Sequence, residues 1–168
     1  DIQFQHEVFD IIGAAMEVQN HLGRGFLELV YHDALNVELG LRGIPFETEK
    51  LITITYKGHL LDRTYKADLV CYDNIVVELK SVEKLRTEHT AQLLNYLKAT
   101  NLPLGILINF GEVPLKYKRQ VWVQMFGSKL KKAYIVAYGL TENDYKNYLA
   151  PLDKERLDLF EIEYNEDF

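Results

Sequence analysis

Two carboxylates and one lysine lie in neighbouring apolar segments near the middle of the chain. Asp68 lies within residues 66–70, and Glu78 and Lys80 lie within residues 76–80. Alternate side chains of a strand face the same side, so Glu78 and Lys80 point together out of an apolar segment. Buried charges are unfavourable unless they are paired or bind a ligand. Carboxylate oxygens suit Mg²⁺ or Mn²⁺, so Asp68 and Glu78 are candidate metal ligands, and Lys80 is a candidate to orient water or stabilise phosphate charge.

The turn between the two segments decides whether the carboxylates meet. A two-residue hairpin at Asp73-Asn74 would place Asp68 and Glu78 on opposite faces of the sheet. A three-residue connection over residues 72–74, or a bulge, would place them on one face. We therefore predict an odd-length connection or a bulge. A plain salt bridge between the strands is the structural alternative.

A polar stripe follows on the next predicted helix. His89, Gln92 and Tyr96 are spaced so that they share one helix face. This face could line the same cleft as the carboxylates. The alternative is an amphipathic helix whose polar side faces water.

The remaining pattern predicts the elements that must position these side chains. Helical spacing of apolar residues predicts helices over residues 4–20, about 27–41 and 87–99, and a short helix over about 141–149. Apolar runs and β-branched alternation predict strands over residues 47–56, 60–71, 75–79, 104–110, 115–126 and 131–138. This order favours an α/β fold of the α+β type, with helices packed on a mixed sheet.

Composition and length limit the class of protein that this chain can be. The 168 residues include 48% apolar and 26% charged residues, which is typical of a globular protein with one core. One cysteine, Cys71, excludes an intramolecular disulfide and a multi-cysteine zinc site. No apolar run is long enough to span a bilayer, and residues 1–10 show no signal-peptide pattern. We expect a cytoplasmic protein without a membrane partner.

The charge is unevenly distributed along the chain. The net charge is −6, and residues 141–168 carry nine acidic and three basic residues, so residues 1–140 are neutral. Basic clusters at residues 116–119 and 129–132 are read either as solvated lysines or as phosphate contacts. The acidic tail and the aromatic residues around it raise two alternatives, a masked binding module and a homodimer. Those aromatic residues are Tyr134, Tyr138, Tyr145, Tyr148 and Phe160.

Several other chemistries are excluded by missing motifs. The chain has no G-x-S-x-G elbow, no phosphate-binding G-x-x-x-x-G-K-[ST] loop and no H-E-x-x-H zinc pattern. The remaining histidines are interpreted as surface or half-buried residues. They are His6, His21, His32 and His59.

The motifs together resemble a known family. Asp68, Glu78-x-Lys80 and Gln92-x-x-x-Tyr96 are similar to the motifs of the PD-(D/E)XK nuclease superfamily. Residues 25–31 read G-x-x-E-x-x-Y, the signature of the GxxExxY protein family within it. Residues 91–100 and 104–111 also look like that family. The resemblance covers about residues 8–123.

The resemblance implies a restriction-endonuclease-like core and Mg²⁺- or Mn²⁺-dependent cleavage of nucleic acid. It implies that Asp68 and Glu78 bind the metal and that Lys80 is the catalytic lysine. Glu28 corresponds to the acid of the leading helix, which can reach the metal or its water. The resemblance also implies supporting positions near the site, to which our reading of the residues adds His89. These supporting residues are Gln92, Tyr96, Tyr31 and His89.

Two positions depart from the family pattern, Ala67 in place of proline and Gln19 in place of histidine. The resemblance names no substrate. We expect a nuclease-like domain over residues 1–125 and an acidic C-terminal extension over residues 126–168, packed on or beside the core. The expected function is a metal-dependent nuclease, and the alternative is a non-catalytic module that binds nucleic acid or protein.

Overall fold

The structure is a computed structural model that describes residues 4–111 and the backbone of residues 122–127, 132–138 and 157–163. It contains three helices and seven strands within these residues. The helices are α1 (Gln5–Leu22), α2 (Glu28–Leu41) and α3 (Thr87–Thr100). The strands are β1 (Phe46–Tyr56), β2 (His59–Cys71), β3 (Ile75–Lys80), β4 (Leu104–Asn109), β5 (Trp122–Gly127), β6 (Lys132–Tyr138) and β7 (Leu157–Glu163).

The seven strands form one sheet in chain order. Strands β3 and β4 are parallel, with α3 as the crossover between them, and every other neighbouring pair of described strands is antiparallel. A parallel connection needs a crossover of this kind, whereas antiparallel strands can be joined by a tight turn. The sheet is therefore mixed, as predicted.

Two apolar cores cover the two faces of the sheet. Helices α1 and α2 pack on the face that carries Leu69, Val77 and Ile106. Helix α3 packs on the opposite face, which carries Val70 and Val76. Successive residues of a strand alternate between the faces, and the central strands β3 and β4 are buried on both sides, which explains their nearly continuous apolar sequences.

Glycines end the first helix and open the loop to the second. Gly23 has a φ of 72° and Gly25 a φ of 96°, conformations that residues with a Cβ atom rarely adopt. The backbone N–H of Gly23 caps α1 by donating to the carbonyl of Gln19. The chain can therefore reverse within a few residues and start α2 at Glu28.

The predicted elements of residues 4–111 are all present, with ends that differ by a few residues. Strand β7 was not predicted. Strands β5 and β6 overlap the predicted strands, and they continue the same sheet past residue 125. The predicted helix at residues 141–149 lies outside the described residues, as do the side chains of the basic clusters and of the aromatic residues of the C-terminal part.

No described helix combines the length and the apolar character that a membrane crossing requires.

Candidate active site

The connection between β2 and β3 has the predicted odd length. Cys71 pairs with Ile75, and Leu69 pairs with Val77, so three residues separate the strands. Continuing this register places Asp68 across from Glu78, with both side chains on the face that α3 covers. The Asp68 carboxylate also accepts a hydrogen bond of 2.7 Å from the backbone N–H of Leu79. The register and this bond hold the two acids together.

Glu78 is the most deeply buried charged side chain of the described residues, with 1% of its surface exposed. The Lys80 ammonium donates a hydrogen bond of 2.6 Å to Oε1 of Glu78. The other oxygen, Oε2, is buried and has no hydrogen-bond partner. A buried carboxylate oxygen without a partner is costly, and such exceptions call for an explanation such as a missing ion.

The charge state of Glu78 reflects this environment. Burial and the neighbouring Asp68 carboxylate raise the pKa of Glu78 to about 7, and the Lys80 ammonium only partly opposes this rise. Burial lowers the pKa of Lys80, but the bond to Glu78 and the charges of Glu28 and Asp68 outweigh burial, so the net shift is upward. Lys80 is therefore a cation, and Glu78 has an unusual affinity for a proton or for another positive charge.

Glu28 approaches the same cluster from the other side of the sheet. It is the first residue of α2, and its carboxylate lies 3.9 Å from the Lys80 ammonium. Tyr31 lies one turn further along α2. It is fully buried, stacks on Phe110 with ring centroids 4.7 Å apart and donates a hydrogen bond of 2.9 Å to the carbonyl of Gly23. Tyr31 thus anchors the loop that delivers Glu28.

Two of the three polar residues on α3 hold strand β2. Gln92 donates a 2.6 Å hydrogen bond to the Tyr96 hydroxyl, which donates a 3.1 Å bond to the carbonyl of Lys66. The Tyr96 hydroxyl therefore contacts the strand two residues before Asp68, and Gln92 holds that hydroxyl in place. His89 lies elsewhere, because its Nδ1 accepts a bond from the backbone N–H of Arg86. It closes the first turn of α3.

His32 on α2 was wrongly interpreted as a surface or half-buried residue. Only 8% of it is exposed, and its Nε2 lies 3.3 Å from the backbone oxygen of Asp68 and 3.2 Å from Oγ1 of Thr48. Asn36 approaches the other ring nitrogen at 3.5 Å. A carbonyl only accepts hydrogen bonds, so we assign the ring proton to Nε2. In the sequence, the position of His32 one helical turn after Glu28 was the feature that could have indicated its place near the site.

Asn109 is a second supporting residue that the sequence analysis did not single out. It is 3% exposed, and its side-chain amide bonds both the N–H and the carbonyl of Val82, at 3.0 and 2.8 Å. These bonds hold the loop that follows Lys80. Gly111 approaches the same segment so closely that a Cβ atom there would collide with the Val82 carbonyl. A lone amide at the end of an apolar strand was the signal for this contact.

The donors of the site suit a hard divalent cation. Among the described residues, no three His, Cys, Asp or Glu side chains form a ready-made metal cage. Mg²⁺ is often held by one or two carboxylates and completes its shell with water and substrate oxygens. Asp68 and Glu78 provide two carboxylates, and Oε2 of Glu78 is an oxygen that lacks a partner. Glu28 lies at the edge of the same cluster, 3.9 Å from the Lys80 ammonium.

Comparison with known proteins bears on the family and the fold. A family model described as the PD-(D/E)XK nuclease superfamily matches residues 5–122. Solved structures include a protein titled "Crystal structure of SSO0001", at 24% identity and a TM-score of 0.46, with 60% of this chain and 50% of that chain covered. This chain therefore spans half the length of that protein. No curated protein matches significantly.

Proposed function

We propose that this chain, which belongs to the PD-(D/E)XK nuclease superfamily, is a metal-dependent nuclease that hydrolyses phosphodiester bonds in nucleic acid. The observation that carries the proposal is the carboxylate of Glu78. One of its oxygens is bound to Lys80, and the other is buried without a partner. Asp68 lies beside it on the same sheet face. A catalytic ion at this position would explain why the sheet keeps these charges buried.

Each residue of the cluster has a role in this proposal. Asp68 and Glu78 hold Mg²⁺ or Mn²⁺, which when bound supplies Lewis acidity and lowers the pKa of a bound water. Lys80 stabilises the charge that develops on the phosphate and orients the attacking water. Glu28 restrains the Lys80 ammonium and would be placed to reach the ion or its water.

The supporting residues act on the backbone. Gln92 and Tyr96 fix strand β2, Tyr31 fixes the loop before Glu28, and His89 fixes the start of α3. We further propose membership of the GxxExxY branch, because its three signature positions work together here. Gly25 adopts a positive φ in the loop before α2, the Glu28 carboxylate lies near the Lys80 ammonium, and the Tyr31 hydroxyl donates a hydrogen bond to the carbonyl of Gly23 in that loop.

The partner that fits this chemistry is a nucleic acid, and the site neither requires nor suggests a membrane. We keep the cytoplasm as the proposed compartment, in keeping with a single cysteine, Cys71, that is buried and free. A homodimer and an acidic C-terminal extension over residues 126–168, packed on or beside the core, also remain proposals.

The test is cleavage of labelled single- and double-stranded DNA and RNA in the presence of Mg²⁺, Mn²⁺ or EDTA. We expect cleavage that EDTA abolishes and that falls at least about 100-fold in Asp68→Asn, Glu78→Gln and Lys80→Met. Glu38→Gln is the matched control, because Glu38 forms an ion pair with Arg42 near the end of α2, ten residues after Glu28. Its activity should equal that of the wild-type protein.

Two results would contradict the proposed nuclease function. Cleavage that persists in Glu78→Gln would come from a contaminant. Metal-dependent binding of nucleic acid without any cleavage would favour the alternative, a binding module that retains the fold.

A further inference from the structure

Phe26 presents an aromatic ring to solvent at the entrance to α2. The residue is 45% exposed, although large aromatic side chains usually bury most of their surface. Its backbone is fixed on both sides. Its N–H lies 3.4 Å from the Tyr31 hydroxyl, and its carbonyl accepts a 3.1 Å hydrogen bond from Ser81. The ring is therefore exposed but attached to a fixed backbone.

The ring is also braced from behind. Phe26 meets Tyr31 edge to face, with centroids 6.2 Å apart and planes at 83°. Tyr31 in turn stacks on Phe110 in the core. An edge-to-face contact uses the edge of one ring and one face of the other, so at least one face of the Phe26 ring is left uncovered by Tyr31. Part of the Phe26 surface is thus held in place while remaining open to a ligand.

Phe26 lies beside the cluster of charged residues. Its carbonyl is bonded by Ser81, the residue that directly follows Lys80 at the end of β3. Glu28, two residues further along the chain, lies 3.9 Å from the Lys80 ammonium. Arg24 is exposed in the same loop, two residues before Phe26. An exposed aromatic surface therefore lies beside the proposed phosphate site.

We propose that Phe26 is a stacking platform for one unpaired nucleobase of the substrate, next to the phosphodiester that is cleaved. This inference rests on the proposed nuclease function and adds a substrate class to it. The base would belong to a single strand or be turned out of a duplex, because a base inside a duplex has no free face. Every base has a face that can stack on an aromatic side chain, so stacking tolerates any sequence, and the platform selects strand state rather than sequence.

The experiment measures binding without turnover. Ca²⁺ replaces Mg²⁺, and fluorescence anisotropy reports the affinity for a labelled single-stranded oligonucleotide and for a series with one abasic site moved along it. We expect Phe26→Ala to weaken binding of the intact oligonucleotide about 10-fold and Phe26→Trp to restore it. One abasic position should weaken wild-type binding similarly and have no further effect in Phe26→Ala.

The matched control is Leu41→Ala. Leu41 is 78% exposed at the far end of α2, roughly 20 Å along the helix, so its loss should leave the affinity unchanged. Both alanine variants keep the backbone bonds of the wild-type protein. Equal affinity of Phe26→Ala and wild type, or additive effects of Phe26→Ala and the abasic site, would overturn the proposal. A change in molar mass by light scattering in Phe26→Ala, at unchanged affinity, would instead assign the ring to self-association.

The outcomes separate this inference from the nuclease proposal. If Glu78-dependent cleavage is present and Phe26→Ala binds as the wild type does, only the platform is wrong. If the protein neither binds nor cleaves nucleic acid with any metal, both proposals are wrong.

Discussion

The carboxylate of Glu78 has two oxygens in different situations. Oε1 accepts a 2.6 Å hydrogen bond from the Lys80 ammonium, whereas Oε2 is buried without a partner. Burial of such a pair is tolerated only when both charges are well satisfied. The pair is therefore satisfied at Oε1 only, and Oε2 is the oxygen that we propose binds the ion.

Removal of the Lys80 ammonium should destabilise the metal-free protein, and added metal should restore part of the lost stability. We expect Lys80→Met to lower the free energy of unfolding by about 3–5 kcal/mol, because it leaves the Glu78 carboxylate buried and unpaired. Mg²⁺ should recover part of this loss, measured by urea denaturation with and without the ion.

Lys66→Met is the control for this comparison. Lys66 forms an exposed ion pair with Glu49, and pairs of that kind contribute at most about 1 kcal/mol. An equal loss of unfolding free energy in the two variants would show that the Glu78–Lys80 pair stabilises the protein no more than an exposed ion pair does.

The raised pKa of Glu78 predicts how stability depends on pH. A carboxyl group with a pKa of about 7 in the folded protein and near 4.5 in the unfolded chain binds its proton more tightly when folded. Its contribution to stability is full below about pH 4.5 and is lost as the pH rises to about 7. We expect the Tm of the metal-free protein to fall over this range for that reason.

Glu78→Gln should remove this part of the Tm change, because glutamine does not titrate. Mg²⁺ should compete with the proton, so its affinity, measured by calorimetry, should be higher at pH 8 than at pH 6. An affinity that does not change between these pH values would contradict the assignment of Glu78 as a ligand.

His32 should affect metal binding although it is not a ligand in the proposal. Its Nε2 holds the backbone carbonyl of Asp68, and residues that orient metal ligands typically affect affinity 10- to 100-fold. We expect His32→Ala to weaken Mn²⁺ binding by about 10-fold and His32→Gln to restore part of it, measured by electron paramagnetic resonance. Val37→Ala, at an exposed position on the same helix, is the control. Unchanged Mn²⁺ affinity in a folded His32→Ala protein would limit this histidine to packing.

Two glycine substitutions should have opposite effects on stability. Gly111→Ala would force a Cβ atom into the Val82 carbonyl, so we expect a loss of at least about 1–3 kcal/mol and lower activity, because the loop after Lys80 must move. Gly40→Ala, in open space on helix α2, should add about 0.5–1 kcal/mol. Thermal unfolding of both variants measures this. A neutral Gly111→Ala would show that the loop adapts without cost.

Local sequence patterns were sufficient for the elements of the first 111 residues and for the central acids. Helical and alternating periodicity depends on which face of an element is buried, and burial follows from residue type. Glu78 and Lys80 could be paired from the sequence, because two residues of one strand separated by one position must share a face. The three-residue connection could be predicted only as a condition for chemistry, since residues 72–74 permit more than one turn.

The contacts between distant elements were decided by the tertiary structure. Three contacts join residues that are at least 27 positions apart in the sequence. They are the ion pair of Glu28 with Lys80, the contact of His32 with the carbonyl of Asp68, and the hydrogen bonds of Asn109 to Val82. Their geometry depends on how helix α2 and strand β4 pack on the sheet, and no local pattern encodes that packing. The sequence by itself therefore determined which groups are candidates for the proposed chemistry, and the packing of helices on the sheet decided which neighbours hold them in place.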